Sequence, residues 1–422
     1  MFKKLRLAPI FLAFVLALAA CGGSGSSSNG GDGGNGGDGG EGSAATISIF
    51  QSKVEIAEPL TELAEKYTEK TGVEVKVWGS AGDSYATQLQ TKLASNQGPT
   101  IFSVSPGAEA EKFKSYLYDM SGQDYVKKIA PNMALKIDGK VVGVPYGVEG
   151  YGLVYNKSLV DPKNITDFAS FEAALKKLKS EGINGLGLSK EAYFLIGHII
   201  NYPFALQEDP QAFMDKLSQG KVSMADNKIF QDWAKFMVTI RKYTKNPLQV
   251  SYDEEIGDFA KGKDAMIHQG NWITPVLKDY GDLGFEIGMM PFPLEGNDKL
   301  AVDVPNNWVI NKNASEAEIK AANDFLNWMF TSETGKKYIV EKFKFIPAMT
   351  NIDASGSLSP LSKDVLEASN SGKTIPWAYN HFPPGIIVNN FVPVAQQFFL
   401  SDSMTGQQFL EKLDAAWAKS VQ

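Results

Sequence analysis

Residues 22–43 are almost entirely Gly, Ser, Asn and Asp, and no side chain among them can anchor a hydrophobic contact. Such a stretch cannot join a packed core, so it fixes where folding can begin. As a coil of about 24 residues it spans about 27 Å r.m.s. and reads as a tether, assigned to residues 21–44. Folded protein then starts near Ala45 and continues for about 375 residues, more than one core usually holds and enough for two lobes. The formal charge of −7, with no dense Lys/Arg patch, argues against a nucleic-acid surface.

Ahead of the tether, Met1-Phe2-Lys3-Lys4-Leu5-Arg6 leads into an apolar run from Leu7 to Ala20. A basic start, an apolar segment short for a bilayer and small residues at the end describe an export signal, residues 1–20, rather than a transmembrane helix. The only cysteine of the chain, Cys21, follows Leu18-Ala19-Ala20. Leu-Ala-Ala-Cys is similar to a bacterial lipobox, which implies a lipid-modified Cys21 and an extracytoplasmic protein anchored to the cell membrane. A small core cysteine is the plainer reading, but no packed core is plausible beside a leader.

The folded part alternates strand and helix. Thr46-Ile47-Ser48-Ile49-Phe50 is β-rich, and Ile56, Leu60, Leu63, Ala64 and Tyr67 recur at helical spacing. Pro59 sets the regular helix to begin near Glu58, and Gly72 stops it. Strands at 73–77 and 100–104 flank a helical face at Leu89 and Leu93, giving the β-α-β-α-β order of a parallel α/β sheet. Further on, 168–180, 213–217 and 229–243 read as helices, 263–268 and 285–290 as strands, and 321–330 as a helical face. Pro291-Phe292-Pro293 forbids continued ladder pairing and suggests a crossing between lobes, with Ile346-Pro347 as another.

These residues carry a resemblance. Gly147-Val148-Glu149-Gly150-Tyr151-Gly152-Leu153-Val154-Tyr155-Asn156-Lys157 resembles the hinge segment of bacterial extracellular solute-binding proteins of the carbohydrate ABC-importer type, the group that includes maltose-binding protein. Phe259 to Met266 followed by Gly270-Asn271-Trp272 resembles the family's F-x-x-G-x-A-A-M … G-x-W pattern. Met289-Met290-Pro291-Phe292-Pro293 resembles its second crossover, and Asn306-Asn307-Trp308-Val309-Ile310 its return to the first lobe. The resemblance implies a two-lobed periplasmic-binding-protein-like α/β fold with hinge strands and an interlobe ligand cleft that closes on a carbohydrate. Carried onto this chain, lobe one is 45–150 plus 293–348 and lobe two 151–292 plus 349–422. The implied partners are a carbohydrate, ABC permease subunits and, through the anchor, the membrane; a monomer without cofactor is expected.

A sugar has apolar C–H faces and hydroxyls that both donate and accept, so its site needs aromatic plates with Asp, Glu, Asn and Gln beside them. Candidate ligand residues are Trp272 with Asn271, Trp308 with Asn307, Trp377 with Tyr379, and Tyr146 and Glu149 around the hinge motif. Gln51 and Asp83 lie in first-lobe loops and complete the set. Trp272 occupies the G-x-W position, where the family resemblance implies stacking on sugar. Trp233, Trp328 and Trp417 fall inside amphipathic patterns and read as core, and Lys53 reads equally well as solvated. The loop Ser105-Pro106-Gly107-Ala108 lacks the Asp and Arg expected of a maltose site, which argues against maltose itself.

Enzymatic readings are weaker. Residues 257–264 nearly spell a phosphate-binding loop, but Asp264 replaces the Ser/Thr and a helix precedes a strand, reversing the required order. His198, His268 and His381 have no partner at metal-ligand spacing, and no second cysteine offers a thiolate site. The sequon Asn164-Ile165-Thr166 carries no meaning for a bacterial chain. A surface glycosidase or sugar sensor on the same fold is the remaining alternative, since sequence alone cannot place two carboxylates about 5–10 Å apart.

Overall fold

The computed structural model describes residues 46–421 except 81, 82 and 355, together with the backbone but not the side chain of 83. Cys21, the leader and the tether lie outside the described residues. Among the described residues, no helix is long and apolar enough to cross a membrane.

Among the described residues, eleven strands form two sheets. In chain order they are β1 Ile47–Gln51, β2 Val75–Gly79, β3 Ile101–Val104, β4 Leu135–Ile137, β5 Lys140–Pro145, β6 Glu149–Asn156, β7 Met266–Gly270, β8 Ile287–Met290, β9 Leu300–Asp303, β10 Asn307–Ile310 and β11 Thr374–Ile375. The first sheet has the order β2-β1-β3-β10-β5-β4, with β1 parallel to β2 and β3 and β10 antiparallel to both its neighbours. Alternation along β1 explains its central place. Ile47 and Ile49 pack with Leu60, Leu63 and Tyr67 of the helix Ala57–Thr71, whereas Phe50 packs on the opposite face with Tyr85 and Leu89 of the helix Asp83–Ala94. Pro59 is accommodated in the first turn of Ala57–Thr71, where its missing N–H has no intrahelical acceptor to serve.

The second sheet is built around β6, which runs antiparallel to β7 along one edge and to β8 and β9 along the other. All eight residues of β6 are buried. Gly152 permits this, because a Cβ there would stand 2.3 Å from the Met290 carbonyl oxygen. Helices cover this sheet, including Phe168–Ser180, which begins at a reciprocal Asp167/Ser170 cap. Trp233 and Trp417 are core as expected, their indole N–H groups donating to Ile199 O (3.0 Å) and Ser218 Oγ (3.1 Å).

The chain changes sheet between β5 and β6, within the predicted hinge motif. The second change differs from expectation. Pro291 and Pro293 only terminate β8; β9 still pairs with β6, and the chain reaches the first sheet between Asp303 and Asn307. A third change falls after Ala354, because Met349, Ile352 and Ala354 pack with the first sheet's core while Leu361 and Val365 pack with the second's. The crossings are laced together by backbone hydrogen bonds, Tyr146 N to Asn306 O (2.9 Å) and Val148 N to Ile346 O (2.8 Å).

Trp308 points into the first core, its ring stacked on Tyr146 at 3.9 Å between centroids. Trp308→Ala is therefore expected to cost about 3–5 kcal/mol in urea unfolding; a loss below about 1 kcal/mol would contradict a core role.

Candidate functional site

Two groups of side chains meet where the sheets adjoin. The first is an ion pair. Gln51 ends β1 and its Oε1 accepts from the Lys53 backbone N–H, turning the chain so that Lys53 reaches Glu149, the first residue of β6. Lys53 Nζ lies 2.8 Å from Glu149 Oε1 and 3.0 Å from Oε2, and both side chains are largely buried. Burial opposes the charge on Lys53, but Glu149, with Glu55 nearby, outweighs it and raises the ammonium above its usual range. Burial pushes the Glu149 carboxyl upward against the pull of Lys53. With two short contacts the pair is ionised. Lys53 is thus a structural partner rather than a solvated lysine.

The second group is a cluster of aromatic rings around Tyr151 of β6. His198 stacks on it at 4.5 Å, Trp377 lies at 5.5 Å and Trp272 at 6.1 Å. Trp377 stacks on Tyr379 at 5.5 Å, and Tyr379 meets Tyr193 edge-on at 5.6 Å. These residues come from separate places: Trp272 from the turn after β7, Trp377 and Tyr379 from the segment after β11, and Tyr193, Phe194 and His198 from a π-helical turn, Tyr193–Gly197, running into the helix His198–Ala205.

The Trp272 indole is fixed from two sides. It lies over Gly270, where a Cβ would be 2.2 Å from the ring, so only glycine admits it. Its Nε1–H donates to Gln269 Oε1 (2.9 Å), and Gln269 Nε2 donates to Glu255 Oε2 (3.1 Å). Burial pushes the fully enclosed Glu255 carboxyl well above the usual range.

The other candidates divide. Asn271 has both ends engaged, Oδ1 accepting from Gly150 N (3.0 Å) and Nδ2 donating to Ser362 Oγ (3.2 Å). Asn307 is buried in β10, with Nδ2 directed at Val104 O (3.5 Å). Tyr146 and Trp308 stack within the first core, and Gln51 braces Lys53. Asp83 opens the helix Asp83–Ala94 and its side chain is outside the described residues. Sequence reasoning did not single out Tyr151, Tyr193, Phe194 or His198 for this site. The near phosphate-loop proves to be a helix-turn-strand closed by Asn184 Nδ2 donating to Asp264 Oδ1 (2.9 Å). The sheets also touch at Gly107 (φ +76°), after β3, where a Cβ would lie 2.2 Å from the backbone oxygen of Asn380.

A family model described as bacterial extracellular solute-binding protein matches residues 62–365. The chain belongs to this family. A maltooligosaccharide ABC transporter solute-binding lipoprotein of Streptococcus pneumoniae is 24% identical over 337 residues, covering 75% of this chain and 76% of that one. Among solved structures, a solute-binding protein in complex with raffinose superposes with TM-score 0.74 at 20% identity, covering 90% of this chain and all of the other. A Bacillus licheniformis sugar transporter protein in complex with stachyose gives 0.71 at 19%, again covering 90% and 100%. A chitin oligosaccharide binding protein gives 0.76 at 19% with the same coverage.

Lys53→Met removes the counter-charge of a buried carboxylate and is expected to cost about 3–5 kcal/mol at pH 7, most of it restored by adding Glu149→Leu. A lone buried Glu149 holds its proton more tightly when folded than unfolded. Stability of Lys53→Met therefore falls as pH rises through the raised Glu149 pKa, and the deficit shrinks on acidification toward the ordinary carboxylate range. Urea unfolding of parent and variant across pH measures this; a deficit independent of pH contradicts it.

Proposed function

We propose that this chain is the substrate-binding component of an ABC importer and captures a carbohydrate of oligosaccharide size between its two halves. The observation that carries the reading is the set of aromatic plates, Trp272, Trp377 and Tyr379, gathered beside the Lys53–Glu149 pair where the two sheets adjoin. Plates suit the C–H faces of a sugar ring, and polar groups beside them suit its hydroxyls. The similarity to a maltooligosaccharide-binding lipoprotein and to proteins solved with raffinose and stachyose supports this ligand class.

The lobes divide, in this reading, at the three crossings: 46–148 with 304–354 in one, 149–303 and 358–421 in the other. Closure is a rotation about the laced crossing segments, and ligand favours the closed form by touching both lobes. Asn271, Asn307, Gln51, Tyr146 and Trp308 act as braces for the ligand-facing groups. The chain works as a monomer, held outside the cytoplasmic membrane by lipid on Cys21 and delivering sugar to the permease. Catalysis is no part of the proposal, since Glu149 is committed to Lys53 and Glu255 to Gln269.

Calorimetric titration of the purified chain with maltotetraose, raffinose, stachyose and chitotriose tests the ligand class, binding without hydrolysis being expected for at least one. Trp272→Ala should weaken that binding by more than about tenfold, with a smaller stability loss than Trp308→Ala. No binding by the parent, or release of sugar products, overturns the proposal. Cys21→Ser should abolish incorporation of labelled palmitate, because a serine hydroxyl does not replace the thiolate nucleophile; label retained by the variant refutes the anchor.

A further inference from the structure

Three nitrogens in the aromatic cluster, Trp377 Nε1, His198 Nδ1 and His268 Nε2, are buried and have no hydrogen-bond partner among the described residues, and the rings of the first two share two tyrosine neighbours. Trp377 is 5% and His198 7% exposed. Leaving such a group unpaired costs about 1–3 kcal/mol, so several in one cluster call for a cause. Trp377 and His198 belong to one neighbourhood, with ring centroids 6.3 Å apart and with both rings against Tyr151 and Tyr379.

Neither residue is loosely held. Trp377 N donates to Asp303 Oδ2 (3.0 Å), and Tyr151 Oη donates to the His198 carbonyl (3.2 Å). His198 directly follows the π-helical turn, a local insertion that changes the direction of succeeding side chains and recurs at functional sites. Burial, with His268 and Lys53 nearby, draws the His198 pKa well below its usual value, so the ring is neutral and one nitrogen is an acceptor.

The indole N–H only donates. Paired with His198 in its Nε2–H tautomer, whose Nδ1 accepts, it offers what a hydroxyl needs, a donor for the oxygen lone pair and an acceptor for the O–H proton. A carboxylate has no proton for the acceptor, and an apolar ligand satisfies neither nitrogen. We propose that Trp377 Nε1 and His198 Nδ1 form a subsite that reads hydroxyl groups on the edge of a neutral sugar, separate from stacking at Trp272. This rests on the carbohydrate-capture reading and specifies the polar half of that site.

Trp377→Phe and His198→Phe keep an aromatic plate at each position and delete the nitrogen. The full chain, purified in detergent, is titrated with maltotetraose, raffinose, stachyose and chitotriose, and any sugar bound by the parent is titrated into both variants. Each variant should lose about tenfold or more in affinity, because a sugar hydroxyl is left unpaired in the closed cleft. The melting temperature of the ligand-free protein should fall by less than that of Trp308→Ala, since each variant keeps a buried ring and loses an unpaired nitrogen. Should His198→Phe fail to fold, Trp377→Phe decides alone. Affinities within twofold of the parent overturn the subsite while leaving sugar capture intact, whereas a parent that binds none of the four sugars overturns both.

Discussion

Strand β6 is the constraint on which the other features depend. Its first residue holds Lys53 from the opposite sheet, Gly150 N takes the Asn271 side chain, Tyr151 centres the aromatic cluster, and Gly152 lets Met290 approach while its carbonyl meets His268 Nδ1 at 3.1 Å. A strand buried along its whole length has little freedom to shift, because a one-residue slip would exchange every face. The site is thereby referred to one rigid element rather than to the loops that supply its other members.

The electrostatics follow from this placement. Glu149 at the start of β6 would be costly alone, and Lys53 arrives because Gln51 turns the end of β1 toward it. One charge belongs to each sheet. Glu255, deeper and paired with no cation, has its carboxyl pushed well above the usual range by burial and uses Gln269 as an intermediary to the Trp272 indole. Two buried carboxyl groups thus have different partners, a lysine for Glu149 and an amide for Glu255.

Much of this was legible in the residues. The helix Phe168–Ser180 follows from apolar spacing and a local cap, and Trp233 and Trp417 follow from helical periodicity. The first crossing is marked by the Gly147 to Gly152 run. The second was misplaced because Pro291 and Pro293 announce the end of a strand but not which sheet receives the next one; β9 is recruited by pairing with β6, a long-range choice. Trp308 and Trp377 illustrate the same limit. Both stand near strand ends beside Asn and Tyr, yet Trp308 turns inward onto Tyr146 and Trp377 turns toward Tyr151. His198 was not legible as a site residue, because its orientation depends on a helical insertion and on neighbours brought in from β6, β7 and β11.

The contact at Gly107 has a geometric consequence for any such hinged molecule. Because the two halves meet there through a bare backbone against the Asn380 carbonyl, their approach at this point is limited by main-chain atoms and not by a side chain that can change rotamer. A side chain at position 107 would have to displace that carbonyl, so the spacing of the halves at this point is written into the backbone.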